Sequence, residues 1–480
     1  MNRTAPRHLL KWLAAPLGLV LLVGTAAFIW GQPKREVTTR SAAAYAAYME
    51  GWQHARAVQY ADAMRGYEKA VALDSTFVMA WTRLGMLQFS FNKSAEARAS
   101  YGRALARVDR VKPYERAMVE MLGLELDGTE AQRDAQMEDL VKRFPDNSEV
   151  LLLYGNRAFF AGQYEKALTA YRRLVACDPS AGETYNMIGY ALTELDRYSE
   201  AVEAFQKYAF LYPDQCNPHD SLGELYLRLG RYDDAERELA RALSIKPDFA
   251  WGWMHLAVNQ SDQGRHDEAI ARLRQGLKAL GDSPEANMLE TQIINQHLLA
   301  GRAESVEAIC RRKIAADPQE SGSYFFLVRL HAGRGDAAAA QRALETYRQK
   351  LRASLKSAGR DFDDAQKSDF MLAECEGVAA LAAGRPEEAV EWLQTAQKRT
   401  ESWWVRRRLQ TEEMAALLRL NRQEEARELA ANLLKVNPNL PEVRRLCADP
   451  GGAPDGSSIG RVVPAGAGRE PAAARGATDR

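Results

Sequence analysis

The chain has 480 residues, and 64 Lys and Arg balance 64 Asp and Glu, so its formal net charge is zero. A neutral chain exerts no overall pull on nucleic acid, which needs a basic footprint. Five cysteines, at positions 177, 216, 310, 375 and 447, are odd in number, far apart and never in a C-x-x-C pair, so no zinc knuckle or redox dithiol is suggested and they read as small buried hydrophobes.

A short basic tail, residues 1–11, opens the chain. Residues 12–32 contain no charge, are rich in Leu, Ala, Val and Gly, and carry Trp12 and Trp30 near their two ends. About 20 residues rising 1.5 Å each span roughly 30 Å, the thickness of a bilayer's hydrocarbon. Tryptophans at both ends suit the two interfaces. The competing reading is a signal peptide cut near the small residues Thr25-Ala26-Ala27. A retained anchor is favoured because Phe28, Ile29 and Trp30 prolong the apolar run past that point. Arg3, Arg7 and Lys11 precede the span, whereas Lys34, Arg35 and Arg40 come after it with Glu36 partly offsetting them. The positive-inside rule then leans towards an inside amino terminus and an extracytoplasmic remainder. A cytoplasm-facing array and a cleaved, secreted or periplasmic chain are the alternatives. Residues 33–43 read as a linker.

From residue 44 a period of 34 takes over. Ala167, Ala201, Ala235 and Ala269 keep it, as do Pro145, Pro179, Pro213 and Pro247, and Tyr164, Tyr198, Tyr232 and then His266. Such a period marks a stack of like two-helix units. Units start near residues 44, 78, 114, 148, 182, 216, 250, 287, 321, 370 and 407, ten or eleven in all. Apolar spacings of three and four give each helix one stripe. Small Gly and Ala let the helices of a hairpin approach closely. Gly162, Gly230, Gly264, Gly301, Gly335 and Gly384 occupy one equivalent hairpin turn, and Asn92, Asp196 and Asn421 hold it elsewhere, all residues that tolerate a left-handed backbone. The third unit, 114–147, is degenerate, and Gly123 and Gly128 are expected to bend it. Leu344 to Ala358 reads as an overlong second helix, with 355–369 an insertion that could divide the array, 44–354, from the C-terminal units at 370–447. A helix over 442–447 is expected to cap the stack. The Gly-, Pro-, Ala- and Arg-rich tail, 448–480, reads as disordered.

The residues Trp81, Leu84 and Gly85, then Ala97, Tyr101 and Ala104, resemble the tetratricopeptide repeat. The pattern returns as Ile188-Gly189, Ala201, Phe205 and Pro213, and as Leu222-Gly223, Tyr226, Ala235, Leu239, Ala242 and Pro247. The resemblance implies an all-α, right-handed superhelix whose first helices line a concave face that holds extended peptides or helices. An anchor followed by Tyr45, Tyr48 and Gly51-Trp52 also looks like bacterial membrane-tethered arrays, which implies an inner-membrane location. Positions 2, 5, 6, 9 and 12 of a unit should point inward. On the best-formed units this gives Asn156, Asn186, Tyr190, Asp220, Glu224, Trp251, Met254, Asn295, Phe325 and Arg329 as a candidate groove. Asn side chains both donate to and accept from a peptide backbone. Tyr and Trp add flat contact area with few rotors to freeze. Asp220 and Glu224, one turn apart, favour a cationic or amide-rich partner.

No phosphate loop, G-x-S-x-G elbow or His pair at i, i+4 spacing occurs, so no enzyme, cofactor or metal is expected. His219 and Asp220 read as a solvent-facing pair at a helix start. His255, His297 and His331 fall on first helices, the last two at a packing position. Gly333-Arg334-Gly335-Asp336 is an ordinary hairpin turn. Arg311-Arg312-Lys313 and Arg406-Arg407-Arg408 read as solvated faces, and Trp403-Trp404 as packing for the last hairpin. The expectation is a membrane-tethered scaffold for other proteins, with a dedicated envelope assembly factor for export, pili or cytochrome maturation as the alternative and an enzyme with an unfamiliar site further behind. A reporter active only outside the cytoplasm, fused after residue 447, is expected to be active; an inactive fusion would place the array inside.

Overall fold

The computed structural model describes residues 37–56, 60–179, 181–357, 362, 369–400 and 402–448. The expected membrane span at 12–32 and the tail beyond 448 lie outside the described residues. Among the described residues the regular elements are helices, and none of them is long and apolar enough to cross a membrane.

Two compact units divide between Asp214 and Gln215. The first stacks α1 (Ala42–Arg56) on α2 (Tyr60–Leu73) and α3 (Val78–Ser90) on α4 (Ser94–Leu105). Then come α5 (Pro113–Asp127) with α6 (Glu130–Arg143), α7 (Ser148–Phe160) with α8 (Tyr164–Cys177), and α9 (Thr184–Glu194) with α10 (Tyr198–Leu211). The second holds α11 (Cys216–Arg228) and α12 (Tyr232–Ile245), α13 (Ala250–Asp262) and α14 (His266–Leu280), and α15 (Ala286–Leu299) and α16 (Ala303–Ala316). It continues with α17 (Gly322–Gly333) and α18 (Ala337–Ser357), α19 (Phe370–Ala382) and α20 (Pro386–Arg399), α21 (Trp403–Arg419) and α22 (Gln423–Val436), and ends on α23 (Pro441–Ala448).

Backbone chemistry sets the hairpins. The nine turn residues expected to be left-handed all are, with φ from 56° at Asp196 to 74° at Gly264. That conformation lets the next N–H reach back to the last turn of the first helix: Gln163 donates to the Ala158 carbonyl at 2.8 Å, Arg231 to Tyr226 at 2.9 Å and Arg422 to Leu417 at 3.0 Å. The periodic alanines Ala167, Ala201, Ala235 and Ala269 are fully buried, as close helix contact requires.

The third unit forms its hairpin by other means. Its turn is not left-handed; instead Thr129 caps α6, accepting from Gln132 N at 3.3 Å while Gln132 Oε1 accepts from Thr129 N at 2.8 Å. α5 runs unbroken through Gly123. A Cβ there would lie 2.6 Å from the Tyr101 hydroxyl, so the glycine makes room for the neighbouring tyrosine.

The insertion does not part the stack. α18 is overlong as expected, at 21 residues, and buries Leu344, Tyr347, Leu351 and Leu355 along one stripe. These share one apolar cluster with Phe325 and Val328 before the insertion and Leu372, Ala373 and Cys375 after it. At the end of the second unit Leu440 and Val443 cover Met414 and Leu433.

Gly155 gives the sharpest test of this packing. A Cβ at Gly155 would fall 2.5 Å from the ring of Tyr171, which is fully buried and whose hydroxyl donates to Asn156 Oδ1 at 2.6 Å. Gly155→Ala should therefore lower unfolding free energy by about 1–3 kcal/mol in urea titration. Gly102→Ala, in α4 with nothing within 4 Å, should instead raise it, by up to about 1 kcal/mol. Equal effects at the two sites would contradict the close approach.

Candidate functional site

Within each compact unit the first helices of successive repeats lie side by side, and their inward positions are tied to one another. In the second unit His255 Nδ1 on α13 meets Asp220 Oδ1 on α11 at 2.9 Å. Further along, Arg329 Nη1 on α17 donates to Asn295 Oδ1 on α15 at 3.0 Å, and Arg329 Nε to Glu374 Oε1 on α19 at 2.8 Å. Arg408 on α21 grips the same carboxylate with two bonds, at 2.6 and 2.8 Å, and Glu412 at 2.9 Å. Glu374 is fully buried, so its charge persists only because two guanidiniums surround it. Burial pushes its pKa up, but Arg408 and Arg329 outweigh that and hold it below the usual carboxylate value. Burial dominates at Glu412, which is raised despite Arg408.

His255 is 3% exposed. Burial alone would lower its pKa; the Asp220 carboxylate, helped by Glu224, overcomes this and raises it to about 9. The His219–Asp220 pair therefore does not face solvent. Both are buried, because the first turn of α11 is enclosed by α12 and α13. His219 Nδ1 lies 2.7 Å from Glu238 Oε2, and its Nε2 accepts from Arg241 Nε at 3.0 Å.

The amino end of α21 comes back onto the start of this same unit. Ser402 caps the helix, its Oγ accepting from Val405 N at 3.4 Å, and so presents Trp403 and Trp404 in the first turn. Trp403 Nε1 donates to Glu224 Oε1 on α11 at 2.8 Å, and Arg407 donates to Asp262 Oδ1 at the end of α13 at 2.5 Å. The Trp404 ring stands edge-on to His255 at 5.7 Å, and the Arg407 guanidinium lies over Trp403 at 5.1 Å. A second contact runs alongside: Asn439 Nδ2 donates to the Gly230 carbonyl at 3.1 Å, and Asn437 Nδ2 to the Tyr232 hydroxyl at 3.2 Å. The run at 406–408 is thus no solvated face, and the tryptophans reach beyond their own hairpin. Two of the three arginines satisfy carboxylates that the rest of the face leaves buried.

In the first unit the first helices carry Arg83, 5% exposed in its side chain, paired with Glu149, which also accepts from the Tyr114 hydroxyl. Residues preceding α1 are tied there too. Thr38 donates to both Glu115 oxygens, from N at 2.9 Å and Oγ1 at 2.5 Å, and Thr39 Oγ1 donates to Asp74 Oδ2 at 2.6 Å.

Of the ten expected groove residues, three lie in the core. Asn156 is fully buried and turned into its hairpin, where it accepts from Tyr171; Met254 and Phe325 are 2% and 5% exposed. Asp220 and Arg329 are buried in the ion pairs above, Glu224 meets Trp403, and half-buried Asn295 meets Arg329. Asn186 and Tyr190, one turn apart on α9, remain half-open, and Trp251 is 47% exposed beside His255, ring centroids 6.0 Å apart. Sequence reasoning misses Arg83, Glu115, Glu149, Glu374, Arg408 and Glu412. All sit at positions 2, 5 or 6 of their units, so the inward-position rule, carried on to the poorer and last units, would have found them.

These hairpins define a helical-repeat protein, and three family models agree. Each is described as the tetratricopeptide repeat, and they match residues 226–293, residues 133–181 and 152–215, and residues 322–346 and 373–395. Over those segments the chain matches the tetratricopeptide repeat. No curated protein matches it. Among solved structures it is similar to MamA at 23% identity, over 33% of this chain and 93% of that one, with a TM-score of 0.30. It is similar to a tetratricopeptide repeat protein from Parabacteroides merdae at 14% identity, over 58% and 98%, with a TM-score of 0.40. It is similar also to PilW, a type IV pilus biogenesis factor, at 20% identity, over 49% and 89%, with a TM-score of 0.32.

The raised His255 pKa fixes a pH dependence. A folded value of about 9 against 6.5 means that the imidazolium stabilises the fold; the contribution is complete below about pH 6.5 and is lost as pH rises through about 9. The stability gap between wild type and His255→Gln, read from urea midpoints by tryptophan fluorescence, should be widest at pH 6 and close by pH 10. A gap independent of pH would contradict the Asp220 pairing.

Proposed function

We propose that the chain is a non-enzymatic scaffold that holds protein partners on the face of its first helices and is tethered to a membrane through residues 12–32. One observation carries the binding reading. On α9 Asn186 and Tyr190, one turn apart, both stay half-open on the face of the first helices. An amide and a phenol held half-open on one helix face can hydrogen-bond an extended peptide backbone. Repeats of this kind lend themselves to the role because their stability comes from neighbour contacts and leaves a long face for recognition.

The tether reading rests on the uncharged run at 12–32 and on the anchoring of residues 37–39. Val37 is buried, and Thr38 and Thr39 are bound to Glu115 and Asp74. Five residues reach at most ~18 Å when extended, so an anchor ending at residue 32 would hold the first unit close to the lipid surface. On the charge balance of its flanks the array is extracytoplasmic, on a bacterial inner membrane.

Partners should copurify with the full chain extracted in mild detergent. Changing Asn186 and Tyr190 together to Ala should reduce their recovery at least about tenfold, the loss of one good hydrogen-bonded contact. Undiminished recovery by a folded variant would move the contact off this face.

A further inference from the structure

In the second unit the face of α11 and α13 is already engaged, by a helix of the same chain. We propose that this face is a binding site for a helix that presents two adjacent aromatic residues and an arginine one turn on, and that Trp403, Trp404 and Arg407 occupy it as an internal ligand that a partner of the same chemistry displaces. The proposal rests on the reading of the first-helix face as a recognition surface, and adds its ligand class and its control.

Range sets this contact apart from ordinary stacking, and three further observations characterise it. The ion pairs on this face join neighbouring first helices, as in Asp220–His255 and Glu374–Arg408, whereas Trp403 reaches Glu224 across 179 residues of sequence and Arg407 reaches Asp262 across 145. The second is chemistry. An indole N–H on a carboxylate, an arginine on an aspartate and a ring edge on an imidazole are the anchors of an interface, where Trp and Arg are enriched. The third is incomplete satisfaction. Asp262 Oδ2, Arg407 Nη1 and His255 Nε2 are buried at the contact and find no hydrogen-bond partner in the protein, although stable interiors pair such atoms. The fourth is openness. Trp403 and Trp404 are only half-buried, and Trp251 beside them is 47% exposed, so an incoming helix has aromatic surface to meet before the internal one leaves.

The geometry also makes displacement local. Leu409, Met414 and Ala416 hold the rest of α21 in the core. The docking residues lie in its first two turns, where a helix frays most easily. The seat is acidic, with Glu224, Asp262 and Asp220 around His255, and an arginine-bearing helix complements it.

The test is fluorescence anisotropy of a labelled peptide of residues 402–412, added to the full-length protein in detergent. The wild type, its seat filled, should bind the peptide at least about tenfold more weakly than Trp403→Ala/Arg407→Ala, because apparent affinity scales with the fraction of open sites. Adding Glu224→Gln and Asp262→Asn to that variant should remove the gain. Trp403→Phe keeps the ring but loses the N–H donor, and it decides the matter if the double variant does not fold: it too should bind more tightly than wild type. Equal binding by wild type and folded vacated variants, or no binding by either, would overturn the proposal. Copurified partners that are lost with Asn186 and Tyr190 while the peptide fails to bind would sink the internal ligand alone; the reverse pattern would sink the wider scaffold reading.

Discussion

Close approach of the two helices within each hairpin is the constraint that shapes the whole molecule. It is set where a glycine faces an aromatic or branched residue: Gly155 against Tyr171, Gly189 against Phe205, Gly223 against Leu239. A side chain at any of these glycines would push the pair apart. The left-handed turn then fixes the hairpin's sense, and the alanine stripe of the second helix lets the next unit settle against it. Stacking proceeds with no single central core, as a repeat protein requires.

Stacking first helices side by side has an electrostatic consequence. Inward positions of successive units face one another, so a charge on one must be met by its neighbour or by solvent. In the second unit the solution is a chain of partners, from Asn295 through Arg329 and Glu374 to Arg408 and Glu412. Such buried pairs add little net stability over apolar packing, but removing one member strands its partner. The face is therefore polar, with most of its buried charges paired although several of their atoms keep no hydrogen bond. What stays available for recognition is confined to the few positions, such as Asn186 and Trp251, where the pairing leaves a side chain or a ring half-open.

The fold is largely legible in the sequence because its determinants are local and periodic. A positive φ at Asn92, Asp196 and Asn421 comes from a backbone rule that acts within a few residues, and burial of the periodic alanines comes from the repeat. The site is legible only in part. Successive residues of a helix are about 100° apart, so a small error in where the inward stripe begins turns a groove residue into the hairpin, as at Asn156. Asp220 needs a partner 35 residues away, and the arginines at 407 and 408 need carboxylates on other helices before their charge can be placed. A run of three arginines looks solvated until the fold supplies Asp262 and Glu374.

The second unit closes upon itself, its last hairpin against its first, and the occupied face exists only if that closure does. Spin labels at Arg231→Cys and Pro438→Cys flank the contact between the Gly230–Tyr232 turn and Asn437–Asn439. Pulsed electron resonance on the full chain should return one short, narrow distance distribution. A long or broad distribution in a folded protein would contradict the closure, and with it the occupied face.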